Sequence, residues 1–285
     1  MNWKQTLFWS FSAAAIFYYF LLFGVFVFVG QEEMQLFIPE WWYIREFLFQ
    51  PGGFCAVAGQ WIIQYYRQPM SAVVFHTVLL VGCGFMVYRI LRCFSDKTYL
   101  LFLSLLPVLY LVKMSIHGEY LVDGTVGVVL MLLALSVSLK VRRAGSIAGY
   151  GIASTLFLCG LTGLLSVCYA FLYTLLALLR YKTSRQRLAA SACLIPALFI
   201  YLFSGWLGIP VPLSDGWMPE AYLEIQRLPH YYMYRVWTFF TLSIVGVALF
   251  ARFVPVIGEK SKWMDRVALV VCLITVLVSI RFCLP

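Results

Sequence analysis

Apolar runs recur along the whole chain, separated by short polar breaks or breaks rich in glycine and proline. They cover residues 7–29, 71–88, 99–113, 123–139, 147–161, 163–179, 188–204, 236–253 and 267–283. Each is read as a membrane span, which predicts an all-α polytopic bundle of about nine transmembrane helices. Several runs fall short of the usual ~20 residues, as suits a bundle that thins the bilayer or encloses a cavity. As one helix, residues 147–179 would run about 50 Å. The glycines of Cys159-Gly-Leu-Thr-Gly163 supply a turn, so a hairpin is predicted there.

Residues 30–70 break the rhythm. Pro39 favours a helix start over Glu40 to Phe49, and Pro51-Gly52-Gly53 ends that helix. From Phe54, apolar residues at 54, 57, 58, 61, 62 and 65 form a helical stripe, with Gln60, Gln64 and Arg67 on the other face. Trp41, Trp42, Tyr43, Trp61, Tyr65 and Tyr66 suit the headgroup level. Two interfacial amphipathic helices joined at a Pro-Gly-Gly corner are expected after the first span. A second polar stretch, residues 205–235, reads as a long outer loop.

Composition agrees with this pattern. The chain of 285 residues is 63% apolar and 12% charged, against about 25% charged in a soluble domain. It is read as a single transmembrane domain, 1–285, with no soluble module. The first run lacks a small-x-small cleavage site and is read as a retained helix. Eight cysteines without a C-x-x-C pair read as packing residues rather than disulfides or metal ligands.

Charge adds orientation. If the hairpin holds and the N-terminus is cytoplasmic, every basic cluster falls inside. These are Lys4; Arg89, Arg92 and Lys97; Lys140, Arg142 and Arg143; Arg180, Lys182, Arg185 and Arg187; and Arg252, Lys260, Lys262 and Arg266. The net charge of +9 is therefore a topology signal and gives no support for a nucleic-acid partner. The outer face holds nine acids, His117 and His230 among mixed charges, so a site is expected there.

Three outer segments carry candidate chemistry. Glu32 and Glu33 follow the first span, read either as solvated charges at a helix exit beside Arg45 or as a general base or divalent-cation ligand. Lys113 to Gly127 holds His117 and Glu119, and Asp123, which reads best as a helix N-terminal cap. No H-E-x-x-H pattern occurs and no zinc is predicted. In the long loop, Arg227, His230 and Arg235, with Arg67 from the first segment, are candidate phosphate ligands; juxtamembrane anchoring is the competing reading. His76, alone in an apolar run, reads as a hydrogen-bonded packing residue.

At QEEMQLF, PGG, QYYRQP and GEYLVDGTVG the chain resembles a family of uncharacterised bacterial inner-membrane proteins known as a domain of unknown function. The matching positions are Glu33 to Phe37, Pro51 to Gly53, Gln64 to Tyr66, and Tyr120 to Gly124. The resemblance implies a multi-pass protein of the bacterial inner membrane and no established activity. The layout also resembles the integral-membrane glycosyltransferases that use lipid-linked sugar donors, which place carboxylates after their first helix and then interfacial helices. That likeness is one of fold, and this chain has no Asp-x-Asp or Glu-x-Asp pair there.

These observations predict an outward-facing polar site. One reading is a cell-envelope transferase acting on a lipid-phosphate-linked substrate. In it Glu32, Glu33, His117 and Glu119 are catalytic, and Arg45, Arg67, Arg227, His230 and Arg235 hold the substrate, with a divalent cation as the one cofactor considered. The alternatives are a non-catalytic membrane subunit or scaffold docking a periplasmic partner, and a transporter. No repeat or charged midplane favours the last.

Overall fold

The computed structural model describes residues 3–34, 37–96, 98–117, 120–203 and 228–253. The expected span 267–283 and most of the long loop lie outside them. The described residues form helices and no strand. In chain order these are α1 (Trp3–Phe23), α2 (Val25–Met34), α3 (Trp41–Leu48), α4 (Gly53–Ile63), a 3₁₀ turn (Gln64–Arg67), α5 (Pro69–Leu91), α6 (Tyr99–Leu103), α7 (Leu105–Met114), α8 (Val122–Ser138), α9 (Ala144–Thr162), α10 (Leu165–Arg180), α11 (Ser184–Ser191), α12 (Leu194–Leu202) and α13 (Leu228–Phe253). Three helical stretches are long and apolar enough to cross a membrane: Gln5–Phe23, Pro69–Leu91 and Ala144–Thr162. Shorter apolar helices, including Val122–Ser138 and Leu165–Arg180, pack among them. The chain is a helical membrane protein.

Prolines set several boundaries. Pro69 opens α5, where its missing N–H removes no helical bond. Pro107 and Pro196 each stand third in a helix, α7 and α12. Neither can donate back to the residue four before it, and the ring crowds that carbonyl. The helices therefore restart at these points, and the expected runs 99–113 and 188–204 each become two helices. The first run also differs from expectation. Its helical hydrogen bonding carries across Gly24, from Gly24 N to the Phe20 carbonyl and from Phe28 N to the Gly24 carbonyl. Glu32 and Glu33 thus ride on the last turn of α2 instead of lying beyond the helix.

The hairpin is present. α9 and α10 pack against each other and reverse at Gly163, whose φ is +62°. Their far ends are clasped together. Tyr181 Oη donates to the Val141 carbonyl at 2.7 Å, and Gln186 Nε2 donates to the Arg142 carbonyl at 2.7 Å. The two basic loops therefore share one end of the bundle. Gln5 reaches Tyr88 Oη at 2.9 Å, bringing the start of α1 to the end of α5. Tyr99 meets Phe250 edge-on, placing the end of α13 beside the start of α6.

The opposite end is built on close backbone approach. The Pro51-Gly52-Gly53 corner docks on the α9–α10 turn, with Gly52 N donating to the Gly160 carbonyl at 3.1 Å. Gly52 has φ +85°, and a Cβ there would lie 3.3 Å from Gly163 N. From this corner α4 runs along α8. A Cβ on Gly59 would fall 2.7 Å from Asp123 Cβ and 2.9 Å from its backbone N.

The buried face of α4 holds Gly53, Cys55, Gly59, Ile62 and Ile63, while Phe54 and Trp61 are exposed. The apolar stripe read from sequence is thus largely the outward face, and the small residues pack inward. Lipid tails are as apolar as a leucine side chain, so contact between helices in a bilayer favours small residues that let backbones meet. α3 fits its expected surface position, with no buried residue.

Two outcomes follow from this geometry. Gly52→Ala and Gly163→Ala each place a side chain in left-handed backbone, costing about 1–2 kcal/mol, so thermal melting in detergent shows Tm lowered by several degrees. Gly149→Ala, in the interior of α9 with open space around it, does not lower Tm and raises it slightly. Cysteines introduced as Arg142→Cys and Arg185→Cys label with a membrane-impermeant maleimide from the same side, and Glu33→Cys and Arg45→Cys from the other. Labelling of 142 and 185 from opposite sides would contradict the clasp.

Candidate functional site

Gln31 sits on the last turn of α2 and is 1% exposed. Its Nε2 donates to the Tyr120 carbonyl at 3.0 Å. Tyr120 is fully buried and its hydroxyl accepts from Thr125 Oγ1 at 3.2 Å. One bond therefore joins the carboxylate segment after the first span to the His117–Asp123 segment. One turn back on α2, Phe28 stacks flat on His76, with centroids 4.3 Å apart and ring planes 9° apart. His76 is fully buried on α5, and its Nε2 lies 2.7 Å from Tyr66 Oη on the 3₁₀ turn. Hydrogen bonds of this kind are worth about 0.6 kcal/mol each on average in a bilayer. Together they fix α2, the 3₁₀ turn, α5 and the 120–125 segment as one polar cap.

The cap orders the backbone beneath the candidate residues. Glu32 is half-buried and Glu33 exposed, both on the turn that Gln31 anchors. His117 is exposed on the turn after α7, where its N–H bonds to the Met114 carbonyl and its own carbonyl accepts from Tyr120 N. Arg67 follows Tyr66 directly and is exposed. Thus the segments carrying Glu32, Glu33, Arg67 and His117 meet through Gln31–Tyr120 and Phe28–His76–Tyr66.

Asp123 is not the cap residue expected from the sequence. α8 starts one residue earlier, and its N-cap is Leu121, with no side-chain cap bond. Asp123 lies in the first turn with its Oδ1 accepting the Gly124 N–H at 2.6 Å, where a carboxylate suits the positive end of the helix. Its backbone is where Gly59 of α4 closes in.

Other candidates stand apart or beyond view. Arg45 is exposed on α3, its guanidinium 5.6 Å above the Phe49 ring. α3 is tied to α4 by Tyr43 Oη donating to Gln60 Oε1 at 3.1 Å. Glu119 and Arg227 lie outside the described residues. His230 and Arg235 fall in the first turns of α13, a helix that packs on α7 through Phe239 and Tyr110. Among the described residues, no three His, Cys, Asp or Glu side chains gather as a metal site requires. Cys55, Cys83, Cys93, Cys159, Cys168 and Cys193 are unpaired thiols.

The residues that build the cap are Gln31, Tyr66 and Tyr120, none of them singled out from sequence for chemistry. Each nevertheless falls within a quoted motif: Gln31 opens QEEMQLF, Tyr66 is central to QYYRQP, and Tyr120 is in GEYLVDGTVG. The signal was a polar atom inside otherwise apolar packing, which must find a partner.

The arrangement offers two carboxylates, the Arg67 guanidinium and the His117 imidazole at the edge of a hydrogen-bonded polar floor. Carboxylates there can take a proton or hold a cation, and Arg67 can present a donor fork to a phosphate. No curated protein and no solved structure matches the chain. Residues 1–280 match a family of unknown function, DUF6057, and the chain belongs to that family.

Proposed function

We propose that this protein is an enzyme of the bacterial inner membrane that works on a lipid-phosphate-linked envelope substrate at the end of the bundle opposite its basic loops. In this reading the chain crosses the membrane nine times from a cytoplasmic N-terminus, and the capped end faces outward. The observation that carries the reading is the Gln31–Tyr120 bond, which brings the Glu32–Glu33 turn to the segment of His117. Arg67, fixed beside the Tyr66–His76 pair, is the nearest candidate for the substrate phosphate. The chemistry resembles that of glycosyltransferases with lipid-linked donors. Glu32 or Glu33 takes the proton of an acceptor hydroxyl, whose oxygen bonds to the sugar carbon. The bond from that carbon to the phosphate oxygen breaks, and the lipid phosphate leaves with the electron pair, held by guanidinium groups.

A second reading is supported by α3, which buries nothing and exposes Trp41 and Trp42, with Phe49 exposed just past its end. There the protein is a non-catalytic subunit whose outer face docks a periplasmic partner.

Titration of nanodisc-embedded protein with polyprenyl phosphate separates the two. The enzyme reading expects saturable binding, weakened roughly tenfold by Arg67→Gln, or about 1.4 kcal/mol. With a polyprenyl-phosphate sugar as donor, Glu32→Gln or Glu33→Gln abolishes turnover while binding persists. Absence of saturable binding, or indifference to Arg67→Gln, sinks the reading and leaves the docking role.

A further inference from the structure

Tyr65 and Tyr66, neighbours on the 3₁₀ turn, grip Phe75 and His76, neighbours on α5. Tyr65 is exposed and lies against the Phe75 ring, with centroids 5.7 Å apart. Tyr66 is buried, with its Oη 2.7 Å from His76 Nε2. Gln68 N then donates to the Tyr65 carbonyl at 3.2 Å, and Ser71 N to the Gln68 carbonyl at 2.8 Å. These contacts fix the turn on α5 and leave Arg67 at the head of that helix, just before Gln68 and Pro69. Gln64, Arg67 and Gln68 are all exposed there. A guanidinium fork and two side-chain amides are good phosphate donors.

α5 is long and apolar enough to cross a membrane, so its first turn lies at headgroup depth. Inward from Arg67 its outer face runs through Met70, Val74 and Val78, one turn apart and all exposed. The next step is Gly82, where a Cβ would have no neighbour within 4 Å. Trp61 meets Tyr65 edge-on at 5.3 Å, so a wall of rings from Trp61 through Tyr65 to Phe75 stands beside this face. Charge separates it from the other membrane-long stretches. Toward the capped end α1 leads to the Glu32–Glu33 turn and α9 to the uncharged turn at Gly163, whereas α5 begins beside a guanidinium. A phosphate is repelled at the first, unmatched at the second and paired at the third.

We propose that this face of α5 docks the chain of a polyprenyl phosphate, with the phosphate at Arg67 and the first isoprene units along Met70, Val74 and Val78 against the Tyr65–Phe75 wall. The inference rests on the reading of Arg67 as the partner of the substrate phosphate, and it adds the class of chain and its path. In a bilayer one lipid chain is as apolar as the next, so hydrophobicity does not select among them. Stiffness and shape do. Each isoprene unit carries a fixed double bond and a branch methyl, so a prenyl chain loses less freedom on a fixed surface than a saturated acyl chain. Its flat alkenes also suit contact with aromatic rings.

The test places the full chain in phosphatidylcholine nanodiscs with a polyprenyl phosphate that carries a photoactivatable diazirine in its first isoprene units. After illumination, peptide mass spectrometry finds the label on Tyr65, Phe75 or the Met70–Val78 face. Unlabelled polyprenyl phosphate competes it away, and phosphatidic acid, with saturated chains, competes roughly tenfold less well. Val78→Trp, a change on an exposed face, weakens saturable binding roughly tenfold, and Leu156→Trp on the exposed face of α9 does not. Saturable binding with the label elsewhere, or undiminished by Val78→Trp, overturns the docking face and leaves the phosphate role of Arg67 standing. Label on α5 that excess polyprenyl phosphate does not displace is contact with bulk lipid and overturns it as well. Equal competition by phosphatidic acid overturns the preference for a prenyl chain. Absence of all saturable binding removes the parent reading, and this one with it. Should Val78→Trp fail to fold, the labelling and competition on the wild type decide.

Discussion

The structure depends on backbones that meet without side chains between them. Gly59 lets α4 close onto the first turn of α8, and Gly52 and Gly163 let two turns dock backbone to backbone. A soluble protein gathers its helices by removing apolar surface from water. In a bilayer that force between helices is gone, and what remains is close packing and hydrogen bonding. The glycine contacts provide the first, and they bring the ends of α4, α8, α9 and α10 into one layer. The polar cap is then assembled on that layer by hydrogen bonds that are individually modest, about 0.6 kcal/mol each: Gln31 to Tyr120, Thr125 to Tyr120, and Tyr66 to His76.

The two ends of the bundle differ in kind. The basic end is held by bonds to backbone carbonyls at Val141, Arg142 and Tyr181. It is crowded with cations that suit anionic headgroups. The capped end mixes both signs of charge, and a pair of carboxylates, an arginine and a histidine lie on segments tied together beneath.

Much of the element layout was legible in the sequence because it rests on local rules. Pro69 starts α5, the Pro-Gly-Gly corner parts α3 from α4, and Gly163 reverses the hairpin. The restarts at Pro107 and Pro196 obey the same rules, and the length of the apolar runs hid them. The facing of α4 was not legible. Periodicity marks the greasy stripe of Phe54 and Trp61, but in lipid that stripe can look outward, and only the position of α8 shows that Cys55 and Gly59 pack. The cap escaped for a related reason. Glu32, Glu33 and His117 attract notice by their charge, whereas Gln31 and Tyr120 matter through a contact 89 residues apart in sequence.

The close approach of α4 to α8 is the claim on which the rest stands, and native Cys55 makes it directly measurable. A Cβ at position 127 would lie 3.6 Å from Cys55 Sγ, close enough for a thiol placed there to reach it after a small side-chain shift. Mild oxidation of the Gly127→Cys variant should therefore link positions 55 and 127 within one chain, seen by peptide mass spectrometry. Gly160→Cys, which has open space around it, should leave Cys55 reduced. If Gly127→Cys stays unlinked to Cys55 in folded protein, or pairs with another native cysteine instead, α4 does not lie on α8 and the cap built on that contact falls with it.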